Sequence, residues 1–494
     1  MKTCNVRTFA LLGICIGYGM WGCDTSGTSE DGNTDPSSFS DDKGSVVWVL
    51  DRPGAANDVA TFDDGAFVVV GKVGKYIDAQ DAFIIRYDEA RNEEWTLKTT
   101  GDGSAEAIAV AMLPDDSIAV TGLFQGEVTF EGTSGKETIS TASEAFEDFF
   151  VARIDTDGEL LWVIPGGCDY SATVTDVVAT SDEDITVVGH FQGTTSFGGG
   201  AVVHASLQDG DELLQDVFIA RYDMQGGFRW ARFGQPVGHP SPIFAFPTIN
   251  GAAALSDDGV AVVGTAHIIL VLRDENQEIE LYSYAASDLF LARYDADGNI
   301  EWATKTETEM VDDAGGDTIS ASDDDTLVVA GSHYGITAFR SDIVYDSGNR
   351  MLSFIASYTE SGTLNWAQEI YTDDREYRHS IQKIQVVDGN RFLVSGFTAG
   401  NTIFGKGQDG ETVLNKGLTP FIAGYDLNGT FSWVTHMEIE NNLAVSSIAP
   451  YGEDAALVSG WFRGTVQLSP DSDVPHQLET PDDDPRMFTM KLNF

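Results

Sequence analysis

The chain reads as an all-β protein, and three features of its sequence say so. A unit of apolar strand, acidic turn and tryptophan strand is seen most fully in Asp288-Leu-Phe-Leu-Ala-Arg-Tyr-Asp-Ala-Asp-Gly-Asn-Ile-Glu-Trp302. Copies of it recur along almost the whole length, ending at Trp95, Trp162, Trp230, Trp302, Trp366 and Trp433. No long stretch carries a helical period, and runs such as Thr186-Val-Val-Gly-His190 are apolar on both faces, as strands sandwiched between neighbouring layers are. A further copy, Arg486-Met-Phe-Thr-Met-Lys-Leu-Asn493, lacks a tryptophan strand after it, while Ser45-Val-Val-Trp-Val-Leu50 is a tryptophan strand with no apolar strand before it. The two orphans complete each other. The prediction is a seven-bladed β-propeller of four-stranded blades, closed by pairing the N-terminal tryptophan strand with the C-terminal strand.

At the start, Lys2 and Arg7 precede the apolar run Phe9-Ala-Leu-Leu-Gly-Ile-Cys-Ile-Gly-Tyr18, which is too short to span a bilayer and placed where a secretory signal would be. Its end, Met20-Trp-Gly-Cys23, resembles the bacterial lipoprotein processing site, in which a small residue precedes a cysteine that is diacylated and becomes the new N-terminus. The resemblance implies that residues 1–22 are a signal peptide, that Cys23 is lipidated, and that the protein meets the membrane only through this anchor. The expected address is the exported face of a bacterial cell envelope. Residues 23–44 are mostly Ser, Thr, Gly and Asp, too poor in apolar side chains to fold, and read as a flexible stalk. Residues 45–494 form the propeller. Of the four cysteines, Cys4 and Cys15 lie in the signal and Cys23 is the anchor, so Cys168 has no partner for a disulfide within the mature chain.

Within each repeat the strands follow one order. A short small-residue strand (Ala105-Glu-Ala-Ile-Ala-Val-Ala111) leads through an acidic turn (Pro114-Asp-Asp-Ser117) to an apolar strand ending in glycine (Ile118-Ala-Val-Thr-Gly122). The counterparts of that glycine are Gly71, Gly189, Gly264, Gly331, Gly396 and Gly460. A variable segment follows, then the Phe-containing strand (Asp81-Ala-Phe-Ile-Ile-Arg-Tyr-Asp88, Asp148-Phe-Phe-Val-Ala-Arg-Ile-Asp155, Asp216-Val-Phe-Ile-Ala-Arg-Tyr-Asp223), the second acidic turn and the tryptophan strand. The period is roughly 64 residues. One insert, His267-Ile-Ile-Leu-Val-Leu272 with Ile279-Glu-Leu-Tyr-Ser-Tyr284, reads as an additional hairpin.

With Asp81 to Trp95, Asp148 to Trp162 and Val120-Thr-Gly122 in view, the chain resembles a bacterial secreted or lipoprotein β-propeller repeat family built on an Asp-Ala-Phe-Val-Ala-Lys-Leu strand, an Asp/Asn-Gly turn, a tryptophan strand and a Val-Thr-Gly strand. The likeness covers residues 45–494 and implies the fold and an exported setting. Gly158 to Trp162 and Gly298 to Trp302 also have the glycine-to-tryptophan spacing of pyrroloquinoline-quinone-type propeller blades. The Asp-to-Gly spacing is one residue shorter here, so this distant likeness reflects blade packing rather than quinone binding.

The charge is −50, from 28 basic and 78 acidic residues, with no Lys/Arg stripe, which excludes nucleic acid as a partner. The fixed place of the tryptophans argues that they fill gaps between blades, each burying on the order of 200 Å². Arg86, Arg153, Arg221 and Arg293 sit mid-strand, where burial demands ion pairs to nearby aspartates. Asp155, Asp157, Asp295 and Asp297 begin like calcium loops, yet the further spaced ligands do not follow. Asp and Gly are also what tight hairpins require, so turn chemistry is preferred to calcium and no cofactor is assigned. Both classes of acidic turn emerge on one face of the disc.

The opposite face is built by variable loops, where a propeller carries specificity. The candidate ligand-binding residues there are Tyr170, His239, Phe244, Phe246, Arg375, Tyr377 and His379. No HExxH, Gly-x-Ser-x-Gly or phosphate loop is present, and no catalytic or metal-ligating residue is assigned. The expected function is a monomeric binding or scaffolding module for an envelope protein or a glycan. The alternatives are a polysaccharide-acting glycosidase or lyase with carboxylates at the channel mouth, and a passive surface-coat component.

Overall fold

The computed structural model describes residues 43–494 except 75–79, 143–145, 182, 199–201, 205–206, 209–211, 238–245, 268, 284–286, 309–311, 374–379, 399, 441, 469–475 and 481–483. Over the described residues the chain is all-β, antiparallel, without helix, and β-propeller-like. Residues 1–42, which hold the expected signal, Cys23 and most of the stalk, lie outside the described residues.

One four-strand meander recurs: inner strand, second strand, third strand, outer strand. In the first repeat these are Ala55–Thr61, Phe67–Val73, Asp81–Tyr87 and Glu93–Thr100. The later inner strands are Ser104–Met112, Ser171–Ala179, Thr248–Ala254, Asp313–Ala321, Ser380–Val386 and Asn442–Pro450. Each packs beside the next, and Asn442–Pro450 packs beside Ala55–Thr61. The third strand of the last repeat, Arg486–Asn493, has as its outer neighbour the N-terminal strand Val46–Pro53, antiparallel, with Val49 opposite Met490 and Asp51 opposite Phe488.

The core is a set of layers between sheets rather than one centre. Val68, Ile84 and Leu97 of the first repeat pack against Val120, Phe150 and Ala152 of the second, and Phe67, Phe83 and Ile85 of the first against Leu457 and Met487 of the last. The strand glycine makes this stacking close. A Cβ added at Gly264 would lie 1.9 Å from the Thr248 carbonyl oxygen of the inner strand and 2.8 Å from the Phe290 ring of the third, and Gly71, Gly122, Gly189, Gly331, Gly396 and Gly460 stand in the same place.

The sheets are not limited to the expected four strands. Hairpins inserted between the second and third strands turn back and pair with the outer strand of the preceding repeat. Glu127–Glu131 pairs with Glu93–Thr100, Ile269–Arg273 with Phe228–Pro236, Asn401–Phe404 with Leu364–Thr372, and Thr465–Leu468 with Phe431–Ile439. The physical reason is the unpaired edge that a four-stranded blade leaves at its rim. The hairpin read at 267–284 is present, as Ile269–Arg273 paired with Glu278–Tyr282.

Candidate functional site

The tryptophans, arginines and aspartates of the repeat are used in the seams between sheets. In five of the outer strands the indole N–H donates to a turn carbonyl of the next repeat: Trp95 to Thr156 (2.8 Å), Trp162 to Met224 (2.8 Å), Trp230 to Ala296 (3.0 Å), Trp302 to Glu360 (2.9 Å) and Trp366 to Leu427 (3.0 Å). Its ring lies on the left-handed glycine of that turn, so that a Cβ added at Gly158 would sit 2.7 Å from Trp95 and one at Gly298 2.8 Å from Trp230. Gly44 lies in the same way against Trp433. At Trp48 the left-handed residue is Arg91 (φ 69°), whose guanidinium stands 5.3 Å from the ring centroid.

The mid-strand arginines are paired as the sequence requires. Arg221, fully buried, donates to Asp184 Oδ2 (3.0 Å), Thr180 Oγ1 (2.8 Å) and the Asp258 carbonyl of the next repeat (2.7 Å). Arg293 meets Asp257 (2.6 Å), Glu301 (2.6 Å) and Glu360 (3.1 Å), while Arg153 meets Asp115 (2.5 Å) and Arg86 meets Glu94 (2.7 Å). The turn carboxylates bond their own backbone: Asp155 Oδ1 accepts from the N–H groups of Asp157 (3.0 Å) and Glu159 (2.8 Å), and Asp295 Oδ1 from that of Asn299 (2.8 Å). Among the described residues no three His, Cys, Asp or Glu side chains converge as a metal cage.

The inner strands together line a cavity and share a device. Each carries one bulged residue at the same register: Asn57, Ile108, Thr175, Asn250, Asp317, Gln382 and Ser446. The bulge turns its side chain onto the next inner strand, so that Asn57 Nδ2 donates to the Ala107 carbonyl (2.8 Å), Thr175 Oγ1 to that of Ile249 (2.8 Å) and Asn250 Nδ2 to that of Gly316 (2.7 Å). Gln382 Oε1 accepts from the Val445 N–H (3.1 Å). Asp317 is the one acid in this set, and burial pushes its carboxyl up to about 7.

One residue beyond the bulge stand Asp58, Asp176 and Lys383, lining a cavity of about 340 Å³ with Val59, Ala60, Val177, Ala252, Ala253, Ile319, Ser320 and Gln385. Both carboxylates tie adjacent inner strands together. Asp58 accepts from Val59 N (2.9 Å), Val110 N (2.9 Å) and the Ser447 hydroxyl, and Asp176 from Val177 N (2.9 Å) and Ala252 N (3.0 Å). Burial pushes Asp176 up against the opposing influence of Lys383. Burial also works against the Lys383 ammonium, but Asp176 and Asp58 outweigh it and hold its pKa above the ordinary lysine value. A second acidic group lies between the first and second repeats. There Lys72 pairs with Glu106 (2.8 Å), Asn57 Nδ2 also donates to Glu106 (2.8 Å), and burial and then the Glu106 charge raise Glu147.

Of the loop-face candidates, Tyr170 is half-buried beside Phe146, ring centroids 4.9 Å apart, and Phe246 is half-buried just before the inner strand Thr248–Ala254. No ring contact joins Tyr170 to Phe246 among the described residues. His239, Phe244, Arg375, Tyr377 and His379 lie outside the described residues. Cys168 is free and fully buried, its thiol 3.0 Å from the Gln192 carbonyl oxygen. Sequence reasoning missed the channel charges. The signal was present as a polar pair at one fixed place in small-residue strands: Asn57-Asp58, Thr175-Asp176 and Gln382-Lys383.

The chain matches no protein-family model. It is similar to an uncharacterized WD repeat-containing protein of Acanthamoeba polyphaga mimivirus, 20% identical over 332 residues that cover 58% of this chain and 24% of that protein. The chain thus spans less than a quarter of the length of the curated relative it matches. Among solved structures it is similar to a protein of unknown function from Dyadobacter fermentans (TM-score 0.41, 9% identity, 90% of this chain and 99% of that one). It is similar also to the polysaccharide lyase Uly1 (TM-score 0.42, 10% identity, 88% and 89%). The WD-repeat likeness agrees with a β-propeller-like repeat fold.

Proposed function

We propose that the chain is a closed seven-bladed propeller of the bacterial secreted repeat type, exported, tethered through Cys23, and acting as a binding or scaffolding module for an envelope protein or glycan. Closure is supported by the pairing of Val46–Pro53 with Arg486–Asn493, and by the Trp433–Gly44 and Trp48–Arg91 contacts at the junction of last and first repeats. One observation carries the binding reading. The recurring Trp and Arg side chains are engaged in seams, whereas the connections at the end away from the tight turns differ from repeat to repeat in length and sequence.

The test is capture from an envelope extract by the immobilised full chain, beside a variant with Phe244, Phe246, Arg375 and Tyr377 changed to Ala. A protein or glycan retained by the first and lost by the second supports a loop-face module. Equal retention by both removes the loop face as the site, and no specific retention favours the passive-coat reading.

A second reading, an enzyme acting on polysaccharide, draws on Glu147 and Glu106, a raised carboxyl beside a second carboxylate that is ion-paired to Lys72. Polysaccharide cleavage abolished by Glu147→Gln would favour it, and cleavage unchanged by that substitution would eliminate it.

A further inference from the structure

Asp58, Asp176 and Lys383 occupy one register, the residue after the bulge in the first, third and sixth inner strands. The equivalent residues elsewhere are Ala109, Gly251, Thr318 and Ser447, all small. Three charges therefore share one level of a channel that the other strands leave open, and the cavity of about 340 Å³ begins at that level. It runs toward Thr61, Met112, Ala254, Ala321 and Pro450, the tight-turn ends of the inner strands, away from the variable loops. Its size falls within the range of small-ligand sites, roughly 300–1,000 Å³.

The two sides of the charge group differ in how well they are satisfied. Asp58 already accepts three hydrogen bonds and Asp176 two. The Lys383 ammonium has no hydrogen-bond or ion-pair partner among the described residues; Asp176 and Asp58 act on it from beyond ion-pair distance. Lys383 is half-buried, so its three donors face the cavity and are met by water until a ligand with acceptors displaces it. An anion would do so at the expense of repulsion from two carboxylates. A hydroxyl accepts from the ammonium, donates to the remaining carboxylate lone pairs and brings no charge. Val59, Ala60, Val177, Ala252 and Ala253 add the apolar wall that the C–H face of a sugar ring needs.

We propose that the channel cavity is a binding site for a polyhydroxylated ligand, a free sugar or the end of a glycan chain, held by Lys383 as donor and by Asp176 and Asp58 as acceptors. The site is separate from the loop face and stands or falls apart from it. It is tested by saturation-transfer difference NMR and calorimetric titration of the purified full chain. The probes are glucose, N-acetylglucosamine and their β-linked trisaccharides, with glycine betaine and sodium sulfate as zwitterionic and anionic controls.

Expected is sugar binding that weakens by at least about tenfold in Lys383→Met and in Asp176→Asn and is unchanged in Tyr282→Ala, an exposed residue of the rim hairpin. Lys383→Gln, which keeps a donor at similar length, serves if the methionine variant does not fold, and should weaken binding less. Preference for the trisaccharide identifies a glycan end, and equal affinity for monosaccharide identifies a free sugar. Absence of binding by every sugar up to tens of millimolar overturns the proposal. So does binding of betaine or sulfate alone, or sugar binding that survives Lys383→Met; the last outcome leaves the loop-face reading standing.

Discussion

Replacing Asp317 by Asn should stabilise the fold, and by an amount that depends on pH. Asp317 is the bulged residue of the fifth inner strand, where Asn57, Thr175 and Asn250 each donate to the carbonyl just before the bulge of the next strand. The same register places Ile381 just before the bulge of the sixth inner strand, and a carboxyl could donate to a carbonyl there only when protonated. Burial alone, with no charged neighbour contributing, raises its pKa from 3.8 to about 7. The folded chain therefore keeps a proton that the unfolded chain loses above about pH 4. The resulting stability is fully present below the unfolded pKa and falls away as pH rises through the folded one. At about 1.4 kcal/mol per unit, ionisation costs on the order of 4 kcal/mol by pH 8, less whatever channel hydration recovers. Asn pays no such cost and can donate at every pH. Urea unfolding of wild type and Asp317→Asn at pH 5 and pH 8.5 measures this, and the gap between the two proteins should widen by about 3 kcal/mol across that interval. Comparing the gap removes every other titrating group. Parallel stabilities across the interval would refute a raised Asp317 carboxyl.

Three further outcomes follow from the seams and the core. Gly298→Ala should cost well over the ~1–2 kcal/mol of left-handed strain, because its Cβ meets the Trp230 ring at 2.8 Å, whereas Gly348→Ala, at φ 60° with no atom within 4 Å, should cost only the strain; thermal unfolding of the pair isolates the ring contact. Arg221→Met takes from the buried Asp184 one of its arginine partners, Arg229 remaining at 3.4 Å, and should lose about 3 kcal/mol in denaturant unfolding, more than Arg340→Met, whose pair with Asp342 is exposed. His190 is held down to about 4 by burial, so it contributes stability that is present above pH 6.5 and lost as pH falls toward 4. His190→Gln should flatten that acid-side loss by up to about 3 kcal/mol, read from unfolding midpoints at pH 4 and pH 7.

The repeat made the seams legible and the channel not. A tryptophan at one place in every copy had to be filling equivalent gaps, and mid-strand arginines had to be paired, since neither pattern survives burial otherwise. Trp230 and Arg221 bear this out through Ala296 and Asp184. What the spacing did not give is direction. Gly298 is four residues before Trp302, yet the ring that rests on it is Trp230 of the preceding repeat. The same non-locality hid the six-stranded sheets, because Ile269–Arg273 belongs by sequence to the fourth repeat and by hydrogen bonding to the third. Asp58, Asp176 and Lys383 were passed over because each is an ordinary polar residue in its own strand. Only a shared register on different inner strands brings them to one level.

Edge protection also narrows where recognition can reside. Two kinds of connection emerge at the variable end of each repeat, between second and third strands and between outer strand and the next inner strand. The first kind is largely committed to structure. At 127–140, 269–282 and 401–415, and in the pair Thr465–Leu468 and His476–Glu479, it forms hairpin strands that cover a neighbour's rim strand, and in the fifth repeat the pair Leu327–Arg340 and Ile343–Tyr358 extends to cover Glu307–Thr308 in the same way. Substitutions there should act on stability and aggregation before they act on binding. The second kind leads from an outer strand to the next inner strand. Its two segments richest in aromatic and charged side chains, 237–247 and 373–379, hold six of the seven loop-face candidates, and they lead directly into the inner strands that present Asn250 and Lys383. A ligand gripped at the loops and a ligand held in the channel would therefore bear on the same inner strands from opposite ends, which makes the Lys383 and Phe246 variants the pair that tells the two apart.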